Sequence, residues 1–441
     1  MKKSDFVLVP VMAFAGLMAG GALTAGAADL GGGCCADLEE RIGELEATTA
    51  RKGNRKVSLT VSGYVAQEIT WWDDGGESNV YLHGLGPTQT THVKFNGQAQ
   101  IAPGWTAGYL MRIQNLDDNP FGRNATTGAA LNQNSPDFST GLNVQMSYWY
   151  LQSNELGKVS VGKQAAAAKS AAMFTDQSGT QVIDNYTFLA GFPQFFIRSG
   201  GNLSASSPTW GQMAYCYSQG VPLGGDCDGI VMNAVRYDSP IFGGFSVSAS
   251  WGEDDDWEIA ARYTGEAAGF KMLFGVGYTE TTDEGMAVAL PAGSKKDTNY
   301  FQVGGYIQHL ATGLFLHGAY GREDNSDTVI AGGVTPPNSD HWYFKGGIRQ
   351  KWTPLGATIV YGDYAQYNDQ LSPTALKVLH ATSSTLNRYG GGIAQEIDAA
   401  AMTVYLKYQH YDGEFSGAAL IDAAKDLDSA DFVSVGALIN F

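Results

Sequence analysis

The chain has 441 residues, 44% hydrophobic and only 16% charged, with 57 Gly, 20 Phe, 22 Tyr and 9 Trp and a formal charge of -17. Soluble domains carry roughly a quarter of their residues as charges, disordered chains lack aromatics, and a chain this acidic does not bind nucleic acid. Beyond the N-terminus no run reaches the ~18 consecutive apolar residues of a membrane helix, so the hydrophobicity must be spread over short alternating segments, the sequence pattern of a transmembrane β-barrel.

Met1-Lys2-Lys3 forms a basic start, Phe6 to Leu23 an apolar stretch, and Ala25-Gly26-Ala27 a small-residue site. Residues 1–27 therefore read as a cleavable secretory signal. Pro10, Gly16, Gly20 and Gly21 weaken the other reading, an uncleaved spanning helix. Cleavage removes Lys2, Lys3 and Asp5, a net +1, so the charge of -17 becomes -18.

Export places Cys34, Cys35, Cys216 and Cys227 in an oxidising compartment. Cys216 and Cys227 lie eleven positions apart in a Gly-rich stretch, spaced for a local disulfide; a metal site there lacks a nearby histidine. Adjacent Cys34 and Cys35 do not readily pair with each other and are placed to bridge between chains. Residues 28–55 read as a periplasmic segment, and 37–52 within it as a short helix. Leu38, Ile42 and Leu45 share one face, with Glu39, Glu40, Arg41, Glu44 and Glu46 on the others. Two heptads suit either a solvated linker or a small parallel bundle under an oligomer.

From Lys56 onward the period is two. Phe270, Met272, Phe274, Val276 and Tyr278 alternate with Lys271, Gly275 and Gly277, and Phe245, Val247, Ala249 and Trp251 with serines. Segments of this kind predict about sixteen strands, near 56–74, 90–102, 104–115, 142–152, 157–164, 229–239, 244–252, 256–265, 270–280, 297–310, 313–323, 341–352, 356–367, 387–396, 400–411 and 430–441. Tight links such as Ala102-Pro103-Gly104 and Ala311-Thr312-Gly313 alternate with mostly longer ones near 75–89, 116–141, 165–228, 281–296, 324–340, 368–386 and 412–429. Aromatics gather near strand ends, as girdles facing lipid do. The fold expected is all-β, a transmembrane antiparallel barrel over 56–441 with both termini in the periplasm.

At the C-terminus Val433, Val435, Ala437, Ile439 and Phe441 share one face, and a terminal Phe in that register resembles an outer-membrane assembly signal. The run Cys34-Cys35-Ala36-Asp37-Leu38-Glu39-Glu40-Arg41, with Glu44-Leu45-Glu46-Ala47-Thr48-Thr49-Ala50-Arg51-Lys52-Gly53-Asn54-Arg55-Lys56-Val57-Ser58-Leu59-Thr60-Val61-Ser62-Gly63, resembles the start of the alphaproteobacterial general porins. That resemblance implies a homotrimer of sixteen-stranded barrels in the outer membrane, passing small hydrophilic solutes. It implies as partners the barrel assembly machinery and the membrane's lipid and lipopolysaccharide, and no cofactor.

A barrel of this size leaves an aqueous bore. The longest link, 165–228, follows the fifth expected strand, the place of the infolded loop in general porins; the alternative is an external loop over the mouth. Its acidic residues are Asp176, Asp184, Asp226 and Asp228. Alternation places Lys94, Arg112, Lys271, Arg262, Lys345, Arg349 and Lys407 on the bore side, because charges on the lipid side cost a few kcal/mol near the midplane. Basic wall opposite acidic loop implies a transverse field, and the acidic total implies a modest preference for cations. The competing function is a solute-selective channel, for anions or sugars, on the same barrel. An enzyme is not expected, since the seven histidines are scattered and the sequence has no G-x-S-x-G turn or complete dinucleotide loop.

Overall fold

The computed structural model describes residues 57–85, 89–115, 142–186, 195–204, 206–252, 256–282 and 295–441. The expected leader, the helix over 37–52, and Cys34 and Cys35 lie outside the described residues. The strands are β1 (Thr60–Asp73), β2 (Ser78–His83), β3 (His92–Ala102), β4 (Trp105–Asn115), β5 (Leu142–Ser153), β6 (Gly157–Gln164), β7 (Tyr215–Cys216), β8 (Val221–Pro222), β9 (Met232–Asp238) and β10 (Phe245–Gly252). They continue with β11 (Trp257–Ala267), β12 (Phe270–Thr282), β13 (Asp297–His309), β14 (Leu314–Asp324), β15 (Ser339–Thr353), β16 (Gly356–Asn368), β17 (Ser383–Ile397), β18 (Met402–Ser416) and β19 (Ala430–Asn440). One short helix, α1 (Pro373–Lys377), is capped by Ser372, whose Oγ accepts from the Ala375 N–H at 3.1 Å.

All wall strands pair antiparallel with their neighbours, and β1 closes the ring on β19, with Tyr64 opposite Asn440 and Asp73 opposite Asp431. Seventeen strands form this sheet. The second half of β1 pairs with β2 and its first half with β3, so those two share one position in the ring, giving sixteen positions. The β7–β8 pair is a separate hairpin inside the long link. The link departs from expectation at 75–89, where a tight turn and β2 replace a loop. Asp74 closes that turn: its Oδ1 accepts from the N–H groups of Gly76 (3.0 Å) and Glu77 (2.7 Å). Alternation in β2, with Val80 and Leu82 exposed and Tyr81 and His83 buried, was the available signal.

The reason for closure is that hydrocarbon offers backbone N–H and C=O groups no partner, so only a ring without edges is stable there. Side-chain alternation then divides wet from dry. On β1, Val61, Val65 and Ile69 are exposed outward, while Ala66, Glu68, Thr70 and Trp72 are buried inside. Tight turns use glycine where the backbone enters left-handed space, as at Gly104 (φ 76°) and Gly269 (φ 81°).

Val303 lies mid-strand on the outer face of β13, whereas Gln98 of β3 faces inward. Val303→Arg is expected to destabilise the folded barrel by about 2–4 kcal/mol, as for a cationic side chain at the midplane. Gln98→Arg should stay within about 0.5 kcal/mol. Urea titrations in lipid vesicles, followed by tryptophan fluorescence, check both.

Candidate functional site

Strands β6 and β9 pair directly, Lys158 opposite Asp238 and Gln164 opposite Met232, so the sheet is continuous without the 165–231 link between them. The first part of that link, residues 165–186, runs across the inner face and touches the strands in order. The Ala167 N–H donates to Ser250 Oγ of β10 (2.8 Å), the Ala168 N–H to Glu258 Oε2 of β11 (2.6 Å), and Arg262 Nη2 to the Ala167 carbonyl (2.7 Å). On β12 and β13 glycines make the room: a Cβ on Gly275 would sit 2.3 Å from Ala171 O, and one on Gly304 2.5 Å from Ala172 O. The Ala172 N–H donates to Gln302 Oε1 of β13 (2.8 Å), and Thr175 Oγ1 meets His317 Nε2 of β14 (3.0 Å).

Charged groups fasten the far half. Lys345 Nζ of β15 donates to Asp176 Oδ2 (2.9 Å), Thr180 Oγ1 (3.0 Å) and the Asp184 carbonyl (2.7 Å). Tyr361 OH of β16 and Gln409 Nε2 of β18 donate to the two Asp184 oxygens, at 2.8 and 2.9 Å. Arg388 of β17 reaches the Asn185 carbonyl (2.6 Å), Asp363, and Asp184 Oδ1 at 3.4 Å. Lys407 of β18 bridges the Ile183 carbonyl (2.9 Å) and Glu68 Oε1 of β1 (2.6 Å).

The second part of the link returns along the mouth. Phe195 packs against Trp72 (5.1 Å) and Phe432 (5.4 Å), and Arg198 pairs with Asp74 (2.8 Å) and Glu77 (3.3 Å) in the β1–β2 turn. Phe192, Pro193 and Gln194 lie outside the described residues. Trp210 is fully buried beside Tyr411. The Cys216–Cys227 disulfide is present and buried. Beside it Glu323 accepts from the N–H groups of Tyr217 (3.0 Å) and Ser218 (2.8 Å). The two ends of the link meet at Ser170, whose N–H donates to Asp228 Oδ1 (3.3 Å) and whose hydroxyl donates to Asp226; Asp228 also accepts from Gln302 Nε2 (2.8 Å) and Thr279 Oγ1 (3.1 Å).

All four loop carboxylates, Asp176, Asp184, Asp226 and Asp228, are therefore buried in contacts within the barrel, and none is presented to the bore. Among the wall bases, Lys345 and Lys407 are likewise consumed, and Arg349 is held by Glu396 at 2.7 and 2.8 Å. Arg262 is spent on Ala167 O and Ser248 Oγ (3.3 Å). Lys271 faces inward near the β12 hairpin end and makes no ion pair among the described residues. Lys94 and Arg112 sit directly opposite each other on β3 and β4. Two inward arginines fell outside the sequence reading. Arg236 of β9 holds Asp238 (2.6 Å) and the Ala165 and Ala166 carbonyls, and Arg388 lies beyond reach of solvent. For Arg388 the signal was available, because outward Tyr389 and Ile393 fix its parity. Phe441 exchanges backbone hydrogen bonds with Gly63, at 2.9 and 3.1 Å.

The anchors respond to pH in opposite senses. Burial pushes the Asp176 carboxyl up, but Lys345 and His317 outweigh it and leave it below its ordinary 3.8. Its contribution is complete above that value and is lost only as pH falls through the lower folded value. Burial first, then Asp226 and Glu258, raise Asp228 well above 3.8. That anchor is intact at low pH and weakens as pH rises through the raised folded value. Burial pulls the Lys169 ammonium down against Asp226 and Asp228, and the Arg112 guanidinium, acting across the gap, pulls it further.

A closed barrel, apolar outside and polar within, with one chain segment laid along its inner wall, defines an outer-membrane channel. The chain belongs to the Gram-negative porin family, whose model matches residues 13–437. As a member of that family it lies in the outer membrane and passes solutes by passive diffusion. Among solved structures it is similar to the anion-selective porin from Comamonas acidovorans (17% identity, TM-score 0.54, covering 87% of this chain and 100% of that one). It is also similar to the outer-membrane channel DcaP of Acinetobacter baumannii (10%, TM-score 0.51, 88% and 99%) and to a loop-deletion mutant of OmpT of Vibrio cholerae (12%, TM-score 0.50, 88% and 100%). A search of curated proteins finds no match.

Lys345→Met is expected to lower stability by about 3–5 kcal/mol by stranding the Asp176 carboxylate, and Lys345→Met with Asp176→Leu to recover much of it, read as the thermal transition of the folded band on gels. Asp228→Asn should flatten the alkaline side of the transition temperature against pH and leave the acid side as it is in the parent.

Proposed function

We propose that residues 165–186 narrow the bore, and that the protein is a homotrimeric, non-enzymatic diffusion pore for small hydrophilic solutes. What supports this is the path of the segment: it is fastened in turn to each strand from β10 to β18, so the free cross-section is left beside β3 to β6. The side of the segment turned away from the wall carries Phe174, which is 49% exposed, and the exposed Gln177. A bore bounded by such groups passes polar solutes by size and charge rather than by a shaped pocket. Assembly through the terminal Phe441, contact with lipopolysaccharide, and the trimer itself belong to this proposal and rest on the family.

Single-channel recordings test it. Conductance should rise in proportion to bulk salt, increase in Phe174→Ala and fall in Gln177→Trp; unchanged conductance in both variants would place the narrowing elsewhere. Light scattering of the detergent-solubilised protein should give three chains per particle.

A further inference from the structure

We infer that the narrow zone carries a binding site for small, multiply charged oxyanions, formed by Lys94 and Arg112 on the wall. This rests on the reading that residues 165–186 narrow the bore. Four observations carry it.

The segment's four carboxylates are buried and spent on the wall or on the segment's own root, where Asp226 and Asp228 also stand near Lys169, so none of them is set against Lys94 and Arg112. Lys94 and Arg112 stand directly opposite each other on adjacent strands, and no carboxylate pairs with either among the described residues. Like charges in that register repel, which an anion between them relieves. The donors there are also incompletely used. Arg112 Nη2 contacts His92 Nδ1 at 3.1 Å while its Nε has no partner; His92, only 5% exposed, meets Thr90 O at 3.0 Å through the same Nδ1 and leaves Nε2 unpartnered. Finally, Arg236 and Lys158 share the single carboxylate of Asp238, at 2.6 and 3.2 Å, leaving that wall with a further excess positive charge.

A guanidinium fork beside an ammonium group matches the planar or tetrahedral oxygens of a carboxylate or phosphate. The ligand class is therefore small dianions, such as inorganic phosphate and short dicarboxylates, and monovalent anions pass the same zone more weakly held. The sign is opposite to the one the total charge implies.

The test uses the trimer in planar bilayers. In a KCl gradient the reversal potential should give chloride over potassium by about threefold or more, the Boltzmann factor for one unit charge ~7 Å from the ion path in a water-like dielectric. Millimolar inorganic phosphate should reduce the chloride current saturably. Lys94→Gln with Arg112→Gln should bring the permeability ratio near one and abolish the phosphate effect, whereas exposed Lys351→Gln should change neither. Cation preference in the parent, or an undiminished phosphate effect in the double variant, would overturn the site. Conductance of Phe174→Ala and Gln177→Trp reports separately on the narrowing, so a failed site and a failed constriction give different results.

Discussion

The structure depends on one constraint, that a chain in hydrocarbon must satisfy its own backbone hydrogen bonds. Among sheets this forces a ring, and the β1–β19 pairing that joins Tyr64 to Asn440 is the bond set that completes it. Once sixteen positions are needed to close, the interior is too wide for side chains from the wall to fill. The hollow is thus a consequence of closure, and it brings the second problem of the molecule: a segment of chain placed inside has to be held by a wall that faces water.

How that holding is done decides the electrostatics. The near half of the crossing segment is apolar and small, Ala165 to Ala168 and Ala171 to Ala172, and it sits in grooves left by Gly275, Gly277 and Gly304. Close contact and a few backbone N–H bonds suffice there. The far half is polar and is fastened by ions: Asp176 on Lys345, Asp184 among Arg388, Tyr361 and Gln409, and Lys407 between Ile183 and Glu68. Burying one such charge alone costs several kcal/mol, so each needs its partner in place. Charges used as fasteners are then unavailable as a field across the bore.

This explains what was legible in the sequence. The period-two alternation marks the wall strands to within a few residues, because it reflects a wet face and a dry face that every strand shares. It also gives the inward direction of Lys345 and Lys407. Alternation says nothing about what an inward side chain meets. Lys94 and Lys345 read alike in sequence, yet the structure buries one against Asp176 and leaves the other half-buried beside Arg112. The difference lies in a contact between residues 169 positions apart, which a local pattern does not carry. Gly275 and Gly277 did hold a trace of it, since two inward glycines on one strand leave space that something else must occupy. The strand β2 was missed for a simpler reason: six residues between a tight turn and a break show too few alternations to stand out.

The acidic total of -17 and the proposed basic narrow zone are compatible because charge acts over a short range in salt. The Debye length is about 10 Å at 0.1 M and about 3 Å at 1 M, so carboxylates at strand ends and on loops, such as Asp412 and Glu414 near the end of β18 and Asp426 in the link after it, all lining one cavity, bias only the mouth. An ion in the bore responds to the few groups within that distance, among low-dielectric walls that strengthen each of them. Composition therefore counts every carboxylate equally, whereas the channel weights them by whether they are paired and how far they stand from the path. With the segment's own carboxylates buried, the groups left with weight at the proposed site are Lys94 and Arg112, so the chain's net charge does not by itself set the sign an ion meets there.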